Sequence, residues 1–356
     1  MIKSIQYLRF IAAILVVYAH SNLQIYGVTP HTTDLGGFGV DIFFVISGFI
    51  MPFIIFGGLH QHDAASKMSP RSFLWRRITR IWPMYAITIA SIVVCSLVVS
   101  SGFISNPTTD LNYFFNIYRA DPTWIMQTLS FTHWTRPPLL TIGWTLQLEF
   151  IFYVSIAVVL LFGAKTFTRM VVGLFIIFAI ATCLSGVSKA ASVVASPIIF
   201  EFFLGIFLYK ITSMNILLPT RTAITTALAC VPLFFLIDGL GLASPGTYLR
   251  PITWGVPAFL LVWSMLSLEK NLPKYKLMLL LGDSSYSLYL IHGILSPWFA
   301  YLWLYYDLLS MPAWFYLVIY LICCQTAGIA AHLYLEKPIN TFIRNRSQGR
   351  NTCAAA

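Results

Sequence analysis

Long apolar runs alternate with short polar segments along the whole chain. Each run approaches the length of about 20 residues that a helix needs to cross the hydrocarbon layer of a membrane. The pattern predicts an all-α, polytopic integral membrane bundle of about ten transmembrane helices. Residues 1–340 are predicted to form its single domain and residues 341–356 a short basic tail. The ten runs cover residues 5–26, 38–57, 82–103, 141–163, 170–187, 197–213, 223–242, 250–268, 277–304 and 312–335.

The composition agrees with a lipid environment. Of the 356 residues, 58% are hydrophobic and only 10% are charged, whereas a soluble domain carries about 25% charged residues. Because so few charges cannot cover a large apolar core, the surplus apolar surface is expected to face lipid. The six cysteines lie mostly inside apolar runs without the spacing of metal ligands, so we interpret them as packing residues and expect no metal site.

The net charge of +10 is explained by membrane orientation. Basic residues stand between the apolar runs and form no amphipathic stripe, which disfavours a nucleic-acid partner. If the N-terminus is cytoplasmic, 18 of the 22 Lys and Arg residues fall on the cytoplasmic side and four on the other side. Short cytoplasmic loops are enriched in these residues, so both termini are predicted to be cytoplasmic.

Five ionisable residues lie inside the runs, each on a different predicted helix. Charge in hydrocarbon costs several kcal/mol unless it is paired or faces a cavity, which makes each a functional candidate. Counted at about 1.5 Å per residue, all five fall in the outer half of the membrane. The alternative is that they are ion pairs that hold helices together. The five are His20, Asp41, Glu149, Glu201 and His292.

Basic residues near the inner surface suggest a long anionic ligand. Arg9 and His20 are eleven residues apart, so they share a helix face at a separation of about 16 Å. Coenzyme A thioesters have the matching shape, with phosphates at one end and a thioester at the other. Arg77 and Arg80 are three residues apart, and on one helix face they could clamp a phosphate. The alternatives are snorkelling of Arg9 to lipid headgroups and topology marking by the basic loop.

Motifs in a fixed order connect these candidates. The motif that begins at Gly39 is highly specific. Each of the other motifs is weak evidence alone, but together they are strong evidence. In order, they are Arg9 with ten residues before His20, Gly39-Val40-Asp41-Ile42-Phe43-Phe44-Val45-Ile46-Ser47-Gly48-Phe49, Arg77-Ile-Thr-Arg80, Trp144-Thr-Leu-Gln-Leu-Glu149-Phe-Ile-Phe-Tyr153, Ser285-Tyr-Ser-Leu-Tyr-Leu-Ile-His292 and Glu336-Lys337-Pro338. Over residues 5–338 the chain closely resembles the membrane acyltransferase 3 family, and most of all its branch that modifies exopolysaccharides or lipopolysaccharide O-antigens.

The resemblance implies ten spans in the bacterial inner membrane and transfer of an acyl group to a carbohydrate hydroxyl. The donor it implies is cytoplasmic acetyl-CoA, with succinyl or longer acyl groups as alternatives. It implies that Arg9 and His20 are essential, and that Arg77 and Arg80 act as the paired-arginine motif. Some members of the family add a periplasmic hydrolase-like domain after the last span, and we expect this chain to lack it. We therefore expect it to complete the transfer alone or to pass the acyl group to a separate periplasmic partner.

The mechanism predicted from these residues has three parts. Arg9, Arg77 and Arg80 bind the coenzyme A phosphates at the cytoplasmic mouth. His20 acts as general base toward a hydroxyl of a carbohydrate or glycolipid acceptor, while Glu149 orients the ring or stabilises its cation. A covalent acyl-histidine is the open variant. The residues predicted to contact the acceptor are Asp41, Trp144, Tyr153, Glu201 and His292.

Two other classes of protein remain open from sequence. A transporter or flippase of a glycolipid or small amphiphile would also use ten spans and buried carboxylates. The chain shows no internal repeat of the kind that many transporters carry. A structural or sensory membrane subunit would not need a band of ionisable residues.

Overall fold

The computed structural model describes residues 2–59, 66, 68–102, 104, 111, 114, 121–240 and 249–353. These residues form helices and connecting turns, and no strand occurs among them, which confirms the prediction of an all-α protein. The α-helices are α1 (Lys3–Ala19), α2 (Pro30–Asp34), α3 (Phe38–Ile55), α4 (Pro70–Ser100), α5 (Pro122–Leu129), α6 (Gly143–Leu161), α7 (Phe167–Leu184), α8 (Lys189–Val194), α9 (Ile199–Ser213), α10 (Thr220–Gly239), α11 (Val256–Ser267), α12 (Lys276–Asp283), α13 (Ser285–Tyr305), α14 (Ala313–Ala331) and α15 (Lys337–Cys353).

Six helical segments in the described part of the chain are long and apolar enough to cross a membrane. The protein is therefore a helical, multi-pass membrane protein. Each of the ten predicted runs overlaps at least one helix, but the number of ten spans and the cytoplasmic position of both termini stay predictions. The six segments are Pro30–Ile55, Pro70–Ser100, Gly143–Leu161, Phe167–Leu184, Thr220–Ile237 and Ala313–Arg346.

Several helix boundaries differ from the predicted runs. Helix α4 begins at Pro70, twelve residues before the run predicted at 82–103, because its first turns are basic and are helical without being apolar. The run predicted at 277–304 is divided into α12 and α13. The segment 341–356, predicted as a tail, is helical as far as residue 353, where α15 ends.

Helix α7 shows the surface expected of a helix that faces lipid. Its large apolar side chains at positions 172, 175, 176 and 180 are each at least half exposed. A water-soluble protein seldom exposes a continuous apolar face of this kind. The exposed face supports placement of α7 against hydrocarbon.

The described residues divide into two compact units. The first unit comprises Met1–Leu15, Gly37–Leu74 and Thr145–Gly282, and the second comprises Val16–Gly36, Trp75–Trp144 and Asp283–Ala356. Each unit combines segments that are distant in the sequence. The prediction of one domain over residues 1–340 is not tested by this division.

In the first unit, α3 and α9 pack with their main chains in close approach. A Cβ atom at Gly48 would lie 2.8 Å from the carbonyl carbon of Phe202, and one at Gly205 would lie 2.7 Å from the amide nitrogen of Phe49. Small residues at such crossings are typical of helix pairs in membranes. The pairing fixes the position of α3, which carries Asp41 and Ser47.

Glu269 caps the start of α1 in the first unit. Its two carboxylate oxygens accept hydrogen bonds from the main-chain N–H groups of Lys3 and Ser4, at 2.9 and 2.8 Å. These groups have no partner within the helix, and a negative charge is favourable at a helix N-terminus. A side chain more than 260 residues away therefore holds the first turn of the helix that ends beside His20.

In the second unit, α13 is tied to its neighbours by polar side chains. The hydroxyl of Tyr286 donates to the carbonyl of Ile81 at 2.6 Å, and Ser287 donates to Glu336 at 2.6 Å. Glu336 closes a π-helical turn at His332–Glu336, where it also bonds His332 at 2.8 Å. π-Helical turns are rare in proteins, and those that occur are often found at functional sites. The contacts fix the orientation of α13, which carries His292.

Candidate active site

His20 follows the last residue of α1, and its ring is held in one tautomer. Nδ1 lies 2.9 Å from the carbonyl oxygen of Val16. Because a carbonyl can only accept, Nδ1 carries the proton and donates it. The other nitrogen, Nε2, then has a lone pair and can take a proton from a substrate. The half-buried imidazole is therefore arranged as a base.

The main chain at His20 is held by side chains of α13 and α14. Its carbonyl accepts from the hydroxyl of Ser296 and, at 3.2 Å, from that of Tyr320. Tyr320 also reaches the carbonyl of Val17 at 3.3 Å. The last carbonyls of a helix lack partners within the helix, and these hydroxyls supply them. These hydrogen bonds therefore hold the main chain that carries the His20 imidazole.

His292 lies against His20 in the second unit. The two ring centroids are 5.2 Å apart, and the planes are tilted by 60°. His292 is fully buried, and its Nδ1 lies 3.2 Å from the carbonyl of Leu288, one turn earlier in α13. Its Nε2 has no hydrogen-bond partner among the described residues. The rings of His20 and His292 are thus in direct contact.

Glu149 lies in the first unit, where two hydroxyl groups bind its carboxylate. Ser47 of α3 donates to Oε1 at 2.7 Å, and Tyr153, one turn later on α6, donates to the same oxygen. Tyr153 is buried, and its ring also packs edge-on against Phe73, with centroids 6.3 Å apart. Since Nδ1 of His20 is bonded to Val16, an interaction between His20 and any carboxylate would use Nε2. The predicted role of Glu149 toward His20 stays a prediction.

Asp41 forms a buried ion pair with Arg250. Nε and Nη2 of Arg250 bind Oδ1 and Oδ2 at 3.0 and 2.8 Å, which is the two-bond geometry that favours arginine. The Asp41 side chain is fully buried and that of Arg250 is 7% exposed. The guanidinium also lies 4.7 Å from the ring centroid of Trp254. The ion-pair alternative considered from the sequence is thus observed for Asp41.

Glu201 extends this cluster in the first unit. It is fully buried and interacts with the carboxyl group of Asp41 and, electrostatically, with the guanidinium of Arg250. Gly255 leaves the space for it, because a Cβ there would lie 2.9 Å from Cγ of Glu201. Gly255 ends the π-helical turn Pro251–Gly255. The predicted contacts of Asp41 and Glu201 with the acceptor stay predictions.

The predicted phosphate ligands differ in exposure. Arg80 is exposed on α4, whereas Arg77, three residues earlier, is buried. Arg9 is half-buried in α1, and its Nη1 lies 3.3 Å from Oε1 of Gln6. Trp144 is 38% exposed at the start of α6. No group of three or more His, Cys, Asp or Glu side chains that could hold a metal occurs in the part of the chain that the structure describes.

Four residues of these clusters were not selected from sequence. Ser47 lies inside the most specific motif, and Ser296 lies one helical turn after His292. Both serines could therefore have been selected from the sequence. Arg250 was considered only as one of the four basic residues on the non-cytoplasmic side. Tyr320 had no signal, because its contact is with main-chain atoms 300 residues away.

Comparison with known proteins identifies the family. Residues 2–331 match the acyltransferase 3 family, described as an acyltransferase domain. The chain belongs to this family. It is also 32% identical over 322 residues to the exopolysaccharide production protein ExoZ of Rhizobium meliloti (strain 1021), and the match covers 87% of this chain and 92% of that protein. No solved structure matches the chain. Membership of the family makes the protein a membrane acyltransferase and disfavours the transporter.

Proposed function

We propose that this protein transfers an acyl group, normally acetyl, from cytoplasmic acyl-CoA to a hydroxyl of a cell-surface polysaccharide or its lipid-linked precursor. Family membership supports acyl transfer. The similarity to a protein named for exopolysaccharide production supports a polysaccharide acceptor, and its bacterial source supports the inner membrane as the location. Completion by a separate periplasmic partner is the variant for the last transfer step.

The observation that carries the proposal is the hydrogen bond from Nδ1 of His20 to the carbonyl of Val16. It leaves Nε2 as a neutral acceptor, which is the state that a general base requires. Ser296 and Tyr320 hold the adjacent carbonyl, so the ring stands on a fixed main chain. Fixed geometry of this kind contributes to the rate because the reacting groups are positioned in advance.

The proposed reaction begins when Nε2 of His20 removes the proton of the acceptor hydroxyl. As that O–H bond breaks, the oxygen forms a bond to the thioester carbon. The carbon–sulfur bond then breaks, and the thiolate of coenzyme A takes the proton from the imidazolium. The products are an ester and free coenzyme A, and His20 returns to its neutral state.

Three arginines are proposed to hold the donor. Arg77 and Arg80 are on α4, and the resemblance adds Arg9 of α1. Guanidinium groups bind phosphate oxygens through two parallel hydrogen bonds, which suits the phosphates of coenzyme A. Replacing Arg80 by Met is expected to raise the KM for acyl-CoA, because its exposed guanidinium has the freest access to a soluble ligand.

A transfer assay tests the proposal. The purified protein in detergent is mixed with [¹⁴C]acetyl-CoA and unacylated polysaccharide from cells that lack the gene, and label in the polysaccharide is counted. The variant His20→Gln is expected to lose about 10²- to 10⁴-fold in rate, the usual contribution of a general base. His31→Gln is the matched control, because His31 is an exposed histidine in α2 of the same unit.

Two results would contradict the proposal. Binding of acetyl-CoA by the wild-type protein with every polysaccharide left unlabelled would contradict the polysaccharide acceptor. Transfer of label by His20→Gln as fast as by His31→Gln would contradict the role of His20 as the base. Movement of a glycolipid across vesicles without covalent change would instead favour the transporter.

A further inference from the structure

His292 carries a buried acceptor atom whose partner is not part of the described chain. Nδ1 faces the carbonyl of Leu288 at 3.2 Å and must donate, so the lone pair lies on Nε2. That nitrogen is buried and has no hydrogen-bond partner among the described residues. Buried polar atoms are nearly always hydrogen-bonded, and an exception calls for an explanation. A bound ligand with a hydrogen donor would satisfy it.

The unsatisfied atom belongs to the residue that packs on the proposed base. The rings of His20 and His292 are 5.2 Å apart, and Ser296, one turn after His292, binds the carbonyl of His20. One face of α13 therefore holds both the ring and the main chain of His20. Tyr289 also packs against the His292 ring, with centroids 5.7 Å apart and planes at 66°. A ligand that reaches Nε2 of His20 approaches this pair.

Two neutral imidazoles with the same tautomer offer two acceptors and no donor on their Nε2 atoms. A reacting hydroxyl has one proton, and the proposed base removes it. The second acceptor, Nε2 of His292, then requires a hydrogen from another donor group. Because a buried site disfavours charge, it selects a neutral donor. Sugars are unusual in presenting several hydroxyl groups within a few ångströms of each other. The chemistry of the pair thus matches a polyhydroxylated ligand.

We propose that His292 is a neutral hydrogen-bond acceptor for a second hydroxyl of the acceptor sugar, and not a second base. This inference rests on the proposed function. It assigns the two histidines different tasks, since His20 exchanges a proton and His292 positions the sugar. Loss of basicity at position 292 should therefore be tolerated, whereas loss of the acceptor atom should not.

Two amides separate these tasks. In glutamine, the side-chain oxygen can occupy the position of Nε2 and accept a hydrogen bond without being basic. In asparagine, the amide reaches only the position of Nδ1, so the acceptor is lost. In the transfer assay, His292→Gln is expected to stay within about 3-fold of wild type. His292→Asn is expected to raise the KM for the unacylated polysaccharide about 10- to 100-fold, with the KM for acetyl-CoA unchanged.

The outcomes distinguish the inference from the function on which it rests. Equal rates and equal KM values for His292→Gln and His292→Asn would overturn the assignment while transfer by the wild type persists. A rise in the KM for acetyl-CoA in place of the polysaccharide would move the contact to an amide N–H of the donor and would also overturn it. A His292→Gln variant as inactive as His20→Gln would make His292 a base. If the wild type transfers nothing, the proposed function fails and this inference fails with it.

Discussion

The ion pair between Asp41 and Arg250 allows a test of how the first unit is held together. Replacing Arg250 by Met removes the cation and keeps much of the apolar volume, so the Asp41 carboxylate stays buried without its two hydrogen bonds. Removing one partner of a buried pair costs about 3–5 kcal/mol, because the remaining charge is uncompensated. Loss of the contact with the Trp254 ring at 4.7 Å acts in the same direction. We expect a large decrease in stability.

Thermal unfolding in detergent measures this effect. A change of 1 kcal/mol shifts the melting temperature of a large domain by about 2–4 °C, so Arg250→Met should melt about 6–20 °C below wild type. Loss of the monodisperse peak in size-exclusion chromatography after heating gives the melting temperature without a ligand. Addition of Asp41→Asn to Arg250→Met should recover part of the loss, because the double variant no longer buries the Asp41 charge without its partner.

The chain contains a matched control for this substitution. Arg136 binds Asp121 at 3.0 Å and lies 4.9 Å from the ring centroid of Trp124, so it has the same two kinds of partner. The side chains of this pair are 40% and 50% exposed, however, and exposed pairs contribute little. Arg136→Met should therefore melt within measurement error of wild type.

The reasoning would be refuted by equal melting temperatures for Arg250→Met and Arg136→Met. It would also be refuted if the double variant melted below Arg250→Met, because an uncompensated carboxylate could not then be the cause. Either result would mean that the pair is exposed to water or lipid headgroups in the membrane. The contribution of burial would then be small.

Three further predictions concern positioning, packing and pH. Tyr320→Phe, which removes one of the two hydroxyl groups that bind the carbonyl of His20, should lower kcat about 10-fold with unchanged KM values. Tyr316→Phe on the same helix, which loses a bond to the carbonyl of Ser21, should have a smaller effect. Gly48→Ala forces a Cβ against the main chain of α9 and should destabilise the protein by about 1–3 kcal/mol in the same melting assay, while Gly186→Ala, with open space around it, should be neutral. The N–H of Trp124 and the guanidinium of Arg136 lower the pKa of Asp121, so its cap on α5 should persist above about pH 4 and weaken as the pH falls through the lowered pKa. Hydrogen exchange in α5 relative to Asp121→Ala should show that difference at pH 6 and lose it in acid.

The positions of the apolar helices could be predicted from the sequence, because a long apolar run is typical of a helix that lies in lipid. Helix α7 lies within three residues of its predicted run at both ends, because its side chains are mostly apolar. The start of α4 was not predictable in this way. Its first turns contain Arg71, Arg76 and Arg77, and a hydropathy pattern cannot distinguish a basic helical turn from a basic loop.

The candidate site was predictable in its titratable side chains and not in their supports. His20 and His292 were selected because ionisable groups are costly in hydrocarbon, and the structure places their rings together. The pairing of Asp41 with Arg250 could be recognised only from the fold, because the two residues are 209 positions apart and no sequence pattern links them. Tyr320 acts on main-chain carbonyls, and every residue has one, so no sequence pattern identifies this contact.

The bond between His20 and the carbonyl of Val16 has a consequence for mutagenesis. In many hydrolases a carboxylate side chain selects the tautomer of the catalytic histidine, and its removal exposes its role. Here the selecting group is a peptide oxygen, which remains after any substitution of the Val16 side chain. An alanine scan of this protein would therefore find the imidazole without the group that orients it. Only a change to the peptide unit itself, such as an amide-to-ester replacement, would reveal that second participant.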